Sequence, residues 1–180
     1  MKTLKKSAYL LLLCLAVVAT SCKKDDDNND EEGEQGGGTE LFTAKVDGAN
    51  FAASTDLATL IGGSLSTTQN GMILVAQGST NDGDFINFSI TDYDGVGTYT
   101  TGDDIMNPNS IQYGEVAGGA TVWASNLATA ALGTLRAGEI KVTSQNESSV
   151  KGTFSFEGYD GQGMTTKNVT EGKFEVNFDN

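Results

Sequence analysis

The feature that most constrains the fold of this chain is apolar–polar alternation with a period of two, in short segments separated by turn dipeptides. In residues 173–178 every second residue is apolar, which is the pattern of a strand with one buried and one solvated face. Pairs such as Asn70-Gly71 follow many of these segments, and they tolerate the positive φ that tight hairpins require. No segment has helical periodicity over three turns, although residues 126–132 favour a short helical turn.

Residues 39–180 have the length of one domain, and alternation predicts its strands. The clearest predicted strands cover residues 85–90, 139–143, 153–156 and 173–178. Weaker candidates cover residues 42–46, 50–53, 57–66, 72–77, 111–116 and 121–125. About ten short strands at this spacing predict an all-β domain, an antiparallel β-sandwich or flattened barrel.

The first 21 residues have the features of a lipoprotein signal peptide. A lysine-rich start precedes an apolar run over residues 8–19, which is too short to span a bilayer. The run leads to Ser21 and Cys22, and this end resembles a bacterial lipobox, in which the signal is cut before the cysteine and that cysteine is lipidated. We therefore expect cleavage between Ser21 and Cys22 and acyl chains, palmitate among them, on Cys22. Stable anchoring requires at least two such chains.

Residues 22–38 are expected to form a lipidated, disordered acidic linker. The segment carries seven carboxylates and ends in glycines, a composition that cannot be buried. The lysines and aspartates directly after Cys22 resemble the surface-export signal of Bacteroidota lipoproteins. The expected location is the outer membrane, lipid-anchored and facing the cell surface, with a periplasm-facing orientation as the alternative.

Composition excludes several classes of function. The chain contains no histidine and has a formal charge of −13. An acidic chain does not bind nucleic acid by neutralising phosphates, and without histidine there is no Ser-His-Asp triad or His-ligated zinc site. No nucleophile motif or phosphate-binding glycine loop is present. We predict no cofactor, no metal, no catalytic residue and no enzymatic activity.

Carboxylates are the groups that catalysis would have to use. Asp92, Asp94, Asp103 and Asp104 lie in predicted loops. The Asp92–Asp94 spacing resembles the start of a calcium loop, but the later ligand positions of an EF-hand do not follow. Solvated turn residues are the favoured interpretation, a calcium site of another type is an alternative, and a carboxylate-dependent glycan hydrolase is a minor alternative.

Aromatic residues give a weak prediction of a ligand site. Core packing is the favoured interpretation of Trp123, and the alternative is an aromatic platform against a sugar ring, to which Tyr93 and Tyr99 could contribute.

A family resemblance covers most of residues 39–180. Its motifs are the opening Phe-Thr-Ala-Lys-Val-Asp-Gly at residues 42–48, Gly-Thr-Tyr at 97–99, Gly-Thr-Phe-Ser-Phe at 152–156 and Val-Thr-Glu-Gly-Lys-Phe at 169–174. This order resembles uncharacterised Bacteroidota lipoproteins of a DUF6252-like domain of unknown function. Phe51 stands where such chains usually have tryptophan. The resemblance implies a lipid-anchored all-β domain with no assigned activity.

Three hypotheses for function follow. The preferred one is a cell-surface binding or accessory module for a glycan or an outer-membrane protein. The second is a structural or assembly lipoprotein with no small-molecule site, and the third is the hydrolase.

Overall fold

The computed structural model describes residues 40–57, 60–132 and 136–178. Cys22, the expected cleavage position and the acidic linker lie outside these residues. Within the described part of the chain, no helix is both long and apolar enough to cross a membrane.

The domain is all-β, as predicted, and its described residues form eleven strands and one five-residue helix. The strands are β1 (Leu41–Val46), β2 (Ala49–Ala52), β3 (Ile61–Thr68), β4 (Gly71–Ser79), β5 (Phe85–Thr91), β6 (Gly97–Thr101), β7 (Ser110–Glu115), β8 (Thr121–Ser125), β9 (Gly138–Gln145), β10 (Ser149–Asp160) and β11 (Thr165–Asn177). The helix α1 (Leu127–Ala131) follows β8. All named strand pairs are antiparallel.

The strands form one curled sheet in the order β2-β1-β11-β10-β8-β7-β5-β4-β3. Strand β10 divides one of its edges between two partners, β9 over its first half and β8 at Tyr159, and β9 in turn pairs with β6. A bridge between Gly63 of β3 and Phe178 joins the far end of the sheet to the end of β11. The sheet therefore curls around a single core, which lies on the inward face of every strand.

Four phenylalanine rings form the centre of that core. Phe88 lies 4.9 Å from Phe174 between ring centroids, and Phe42 lies 5.3 Å from Phe154. Each of the four is at most 3% exposed. These rings come from β1, β5, β10 and β11, so distant parts of the chain meet in one packed cluster, as the alternation in each strand requires.

The structure confirms the predicted segments and adds one strand. Alternation located ten of the strands and the helical turn, which Asn126 caps by accepting hydrogen bonds from two backbone amides of the first turn. The weak candidate at residues 57–66 begins later, since β3 covers Ile61–Thr68. Strand β6 was missed because Gly97–Thr101 carries no apolar residue except Tyr99, and its pairing with β9 identifies it as a strand.

Candidate functional site

One part of the outer surface carries no charge at all. It is formed by the outward side chains of β3, β4, β5, β7 and β8, which alternate with the buried ones. We call it the amide face, and its members are Ser64, Ser66, Ile73, Val75, Gln77, Ser79, Phe85, Asn87, Ser89, Thr91, Ser110, Gln112 and Val122. Residues 39–180 contain 17 acidic and six basic side chains, so an uncharged surface across five strands is unusual for this domain.

Three amide side chains form a row across the centre of this face. Register pairs Gln77 of β4 with Asn87 of β5, and Asn87 with Gln112 of β7. The row continues through Ala124 of β8 to Tyr159 of β10. Adjacent strands lie about 4.8 Å apart, so the five positions span about 19 Å.

The amide groups of this row have no partners among the described residues. Gln77 is exposed and Asn87 and Gln112 are half-buried, and none of the three side chains forms a hydrogen bond within that part of the chain. Each amide offers two N–H donors and a carbonyl acceptor. The row therefore presents a set of donors and acceptors that only solvent or a ligand satisfies.

A phenyl ring lies beside the row. Phe85 of β5 is paired with Gly114 of β7, and a Cβ atom placed on Gly114 would overlap the Phe85 ring. The ring therefore lies across the bare backbone of β7, where it is half-buried with one side toward solvent. A half-buried aromatic ring of this kind gives the apolar face of a ligand a surface to pack against.

Trp123 lies inside the sheet and not on this face. It is 6% exposed, its ring is stacked on Tyr113 at 5.9 Å, and its Nε1 donates to Thr165 Oγ1 at 2.9 Å. The Nζ of Lys167 lies 5.2 Å from the ring centroid. That ammonium group is also 3.1 Å from Glu115 Oε1, so internal groups cover the indole. Of the two interpretations of Trp123, the structure agrees with core packing and not with a platform for a sugar.

Tyr93 and Tyr99 lie together at the opposite end of the sheet. Their ring centroids are 5.6 Å apart, and the Tyr93 hydroxyl donates to Gln145 Oε1 at 2.5 Å. Tyr93 is 2% exposed, and burial, with Tyr99 beside it, raises the pKa of Tyr93 to about 12. Tyr93 packs on Tyr99, whereas Trp123 packs on Tyr113, so the three aromatics form no common surface.

Two of the loop aspartates, Asp103 and Asp104, accept hydrogen bonds from nearby residues. Asp103 accepts hydrogen bonds from Thr100 Oγ1 and Asn107 Nδ2, each at 2.7 Å. The hydrogen bond from Thr100, followed by that from Asn107, lowers the pKa of Asp103. A carboxyl group that acts as a general acid at neutral pH requires a raised pKa. Among the described residues no three His, Cys, Asp or Glu side chains are grouped as a metal site.

The rest of the outer surface differs in chemistry. The outward side chains of β6, β9, β10, β11 and β1 form what we call the charged face. It carries four of the five lysines of residues 39–180, namely Lys45, Lys141, Lys151 and Lys173. Two shallow depressions of about 400 Å³ lie there.

Ion pairs occupy both depressions of the charged face. Lys45 pairs with Glu171 at 2.8 Å in one, and Glu157 in the other pairs with Arg136. Each depression also contains a further charged side chain, Lys173 in the first and Glu139 in the second, so a ligand there would meet charges that the amide face lacks.

Sequence reasoning did not single out Gln77, Asn87, Gln112 or Phe85. A local signal existed for one of them, since Phe85 falls in phase with Asn87 and Ser89 and out of phase with the buried residues of β5. The alignment of the three amides has no local signal, because it depends on the pairing register of three strands.

Comparison with known proteins gave one family match. Residues 38–176 match the family described as Domain of unknown function (DUF6252). No curated protein and no solved structure gave a match. The matched range begins shortly before β1 and ends within β11.

Proposed function

The chain belongs to the DUF6252 family, and we propose that this member is a lipid-anchored cell-surface protein that binds its ligand through the amide face. The observation that carries the proposal is the row of unpartnered amides, Gln77, Asn87 and Gln112, on an uncharged surface of a highly charged domain. A surface kept free of charge and rich in unsatisfied donors and acceptors suits recognition better than solubility, which charge would serve.

The anchoring part of the proposal rests on the sequence. Cys22 would carry the acyl chains, and residues 23–38 would link the membrane to β1. The lysine–aspartate run after Cys22 supports placement on the outer leaflet of a bacterium of the Bacteroidota. Replacement of Cys22 by Ser should move the protein from the membrane fraction to the soluble fraction and abolish labelling by a palmitate analogue.

The binding part is tested by crosslinking on intact cells. A photoreactive amino acid would replace Gln112 on the amide face, or Thr153 on the charged face as the matched control. Both positions are outward on central strands. We expect covalent adducts from position 112 that are absent from position 153.

A blocking variant makes this test specific. With the photoreactive group kept at position 112, Asn87→Arg should remove the adduct, because it places a long cation in the middle of the amide row. Thr153→Arg is the control. Adducts that form equally from both faces, or that survive Asn87→Arg, would contradict the proposal and favour a structural role with no defined ligand surface.

A further inference from the structure

We infer that the ligand of the amide face is an uncharged polysaccharide that lies across the strands along the row from Gln77 to Gln112. This inference rests on the proposed function and names the class of ligand for the same site. Charge, hydrogen-bonding chemistry and the position of Phe85 favour this class of ligand.

Charge selects against acidic ligands. The amide face contains no cation that could pair with a uronate, sulfate or phosphate group. The rest of residues 39–180 has eleven more acidic than basic side chains, so its field repels polyanions at low ionic strength. A long cationic ligand would be attracted to the acidic loops, but the face itself offers it no carboxylate.

Hydrogen-bonding chemistry favours hydroxyl groups. A sugar hydroxyl both donates and accepts, and a carboxamide does the same through its N–H₂ and C=O groups. Gln77, Asn87 and Gln112 present three such groups at about 4.8 Å intervals. Small hydroxyl side chains surround them, among them Ser89 and Ser110, which pair with each other on the next row. Their small size leaves the row accessible to a broad ligand.

Phe85 supplies the apolar contact that sugar rings require. Its ring lies over Gly114, next to the amide row and on the same face. The C–H face of a hexose packs on such a ring while its equatorial hydroxyls remain free for neighbouring amides. Because Gln77, Asn87 and Gln112 lie on three adjacent strands, the amide row spans about 10 Å, so the face accommodates more than one linked sugar residue.

The inference is tested by affinity electrophoresis of the full-length mature chain in native gels. The gels would contain, one at a time, neutral probes (a β-glucan, a mannan, a galactan and a xylan) or acidic probes (polygalacturonate and chondroitin sulfate). We expect retardation by at least one neutral polysaccharide and by neither acidic one. Retardation by the acidic probes, or by no neutral probe, would overturn the inference.

Variants then place the binding on the amide face. Asn87→Ala or Gln112→Ala should each weaken the binding of the retarding polysaccharide roughly fivefold to tenfold, the loss of one to two hydrogen bonds. Asn87→Asp, which keeps the shape but loses the donors, should weaken it at least as much. Thr98→Ala and Thr153→Ala on the charged face are matched controls and should leave the binding unchanged.

The stacking contact of Phe85 is tested with two variants that keep a large side chain on β5, so that the strand itself is not disturbed. Phe85→Leu retains an apolar side chain over Gly114 but removes the aromatic plane, so binding should fall about tenfold while the thermal midpoint changes little. Phe85→Tyr keeps the plane and should bind nearly as well as the wild type. Equal binding by Phe85→Leu and wild type would overturn the stacking contact.

The outcomes separate this inference from the proposed function. If no neutral polysaccharide binds but crosslinking from position 112 persists and is blocked by Asn87→Arg, the amide face binds a protein, and only the present inference fails. If crosslinking from position 112 is also lost, both fail.

Discussion

The amide face and the charged face are outer surfaces of one curled sheet, with the same strand geometry and opposite chemistry. On the charged face, Lys45 and Glu171 form an ion pair at 2.8 Å, and Arg136 pairs with Glu157. On the amide face, the side chains of Gln77, Asn87 and Gln112 have no partner among the described residues. The apolar–polar alternation therefore determines which residues face solvent, but it does not determine whether those residues are charged or neutral.

The largest expected effect on stability comes from Phe88, which lies in the core that the two faces enclose. Phe88 is 1% exposed and packs against the other three rings of the central cluster. Phe88→Ala should lower the free energy of unfolding by about 3–5 kcal/mol, because it leaves a cavity among rings from both parts of the sheet. Urea denaturation followed by Trp123 fluorescence and by far-ultraviolet circular dichroism would measure it.

This experiment also asks whether the two faces are independent. If they enclose one core, the two probes should give coincident transitions in the wild type and in the variant. Two separate transitions would show that each face has its own folding unit. The surface variant Thr153→Ala is the control and should change the free energy of unfolding by less than about 0.5 kcal/mol.

The second prediction concerns Asn109, whose hydrogen bonds connect β5 of the amide face to β6 of the charged face. Asn109 is 8% exposed, and it accepts a hydrogen bond from the backbone N–H of Thr91 in β5 at 2.9 Å. Its Nδ2 donates to the backbone carbonyl of Thr100 in β6 at 3.0 Å. Asn109→Ala should cost about 1–3 kcal/mol, because it leaves these buried backbone groups unsatisfied. Hydrogen exchange should become faster at the Thr91 amide.

The isosteric variant sharpens that test. Asn109→Asp keeps the acceptor for Thr91 and, when ionised, loses the donor to Thr100. Its destabilisation should therefore be greater at pH 7 than at pH 3, where the protonated carboxyl can donate. Equal thermal midpoints for Asn109→Ala and the wild type would mean that Asn109 does not join β5 to β6.

The third effect appears at alkaline pH. The pKa of Tyr93 is raised to about 12, chiefly by burial, above its ordinary value of about 10. The folded protein therefore binds more protons than the unfolded chain above pH 10, and the free energy of unfolding should fall as the pH rises from 10 to 12. Below pH 10 this contribution to stability is fully present.

Tyrosine-to-phenylalanine variants distinguish the contributions of Tyr93 and Tyr113, at the two ends of the sheet, to the alkaline pH dependence of stability. Tyr93→Phe should reduce the alkaline slope by at most about 1.4 kcal/mol per pH unit. Burial and the hydrogen bond to Glu115 also raise the pKa of Tyr113, so Tyr113→Phe should act in the same direction. Tyr159→Phe, on the outer surface, is the control. An unchanged slope in Tyr93→Phe would contradict the assignment.

The smallest effect compares two lysines of the same strand. Lys167 of β11 lies 3.1 Å from Glu115 Oε1, 3.4 Å from Asp47 Oδ2 and 5.2 Å from the Trp123 ring centroid. Lys173 of β11 forms no hydrogen bond or ion pair among the described residues. Lys167→Met should cost about 1 kcal/mol, and less in high salt.

Lys173→Met is the matched variant and should change stability by less than about 0.5 kcal/mol. Thermal midpoints at low and high salt would measure both, and Trp123 emission should shift only in Lys167→Met. If the two variants lose equal stability, the ion pairs of Lys167 contribute nothing beyond its aliphatic stem.

Much of the fold could be predicted because its signals are local. The alternation in residues 173–178 and 85–90 located the C-terminal part of β11 and nearly all of β5, and residues 121–125 coincide with β8. The position of β6 could not be predicted, since Gly97–Thr101 has almost no apolar alternation and is ordered by pairing with β9 and by Asn109.

The candidate site was harder to predict. Aromatic residues such as Trp123, Tyr93 and Tyr99 are candidates for sugar binding, but their large apolar area is equally suited to packing in a core. Trp123 and Tyr93 are used in that way, and Tyr99 is partly covered by its contacts with residues 94–95. The sequence did not identify Gln77, Asn87 and Gln112 as site residues, because a single amide on a strand has no distinguishing pattern.

The class of fold, the single core and the side of each strand on which a residue lies follow from the sequence, because a period of two is a local property of the chain. Which outward residues are neighbours depends instead on the folded sheet. Gln77, Asn87 and Gln112 come from three strands, and a shift of one residue in either pairing would turn one of them into the core. Register depends on the packing of the whole sheet, so the amide row exists only in the folded domain.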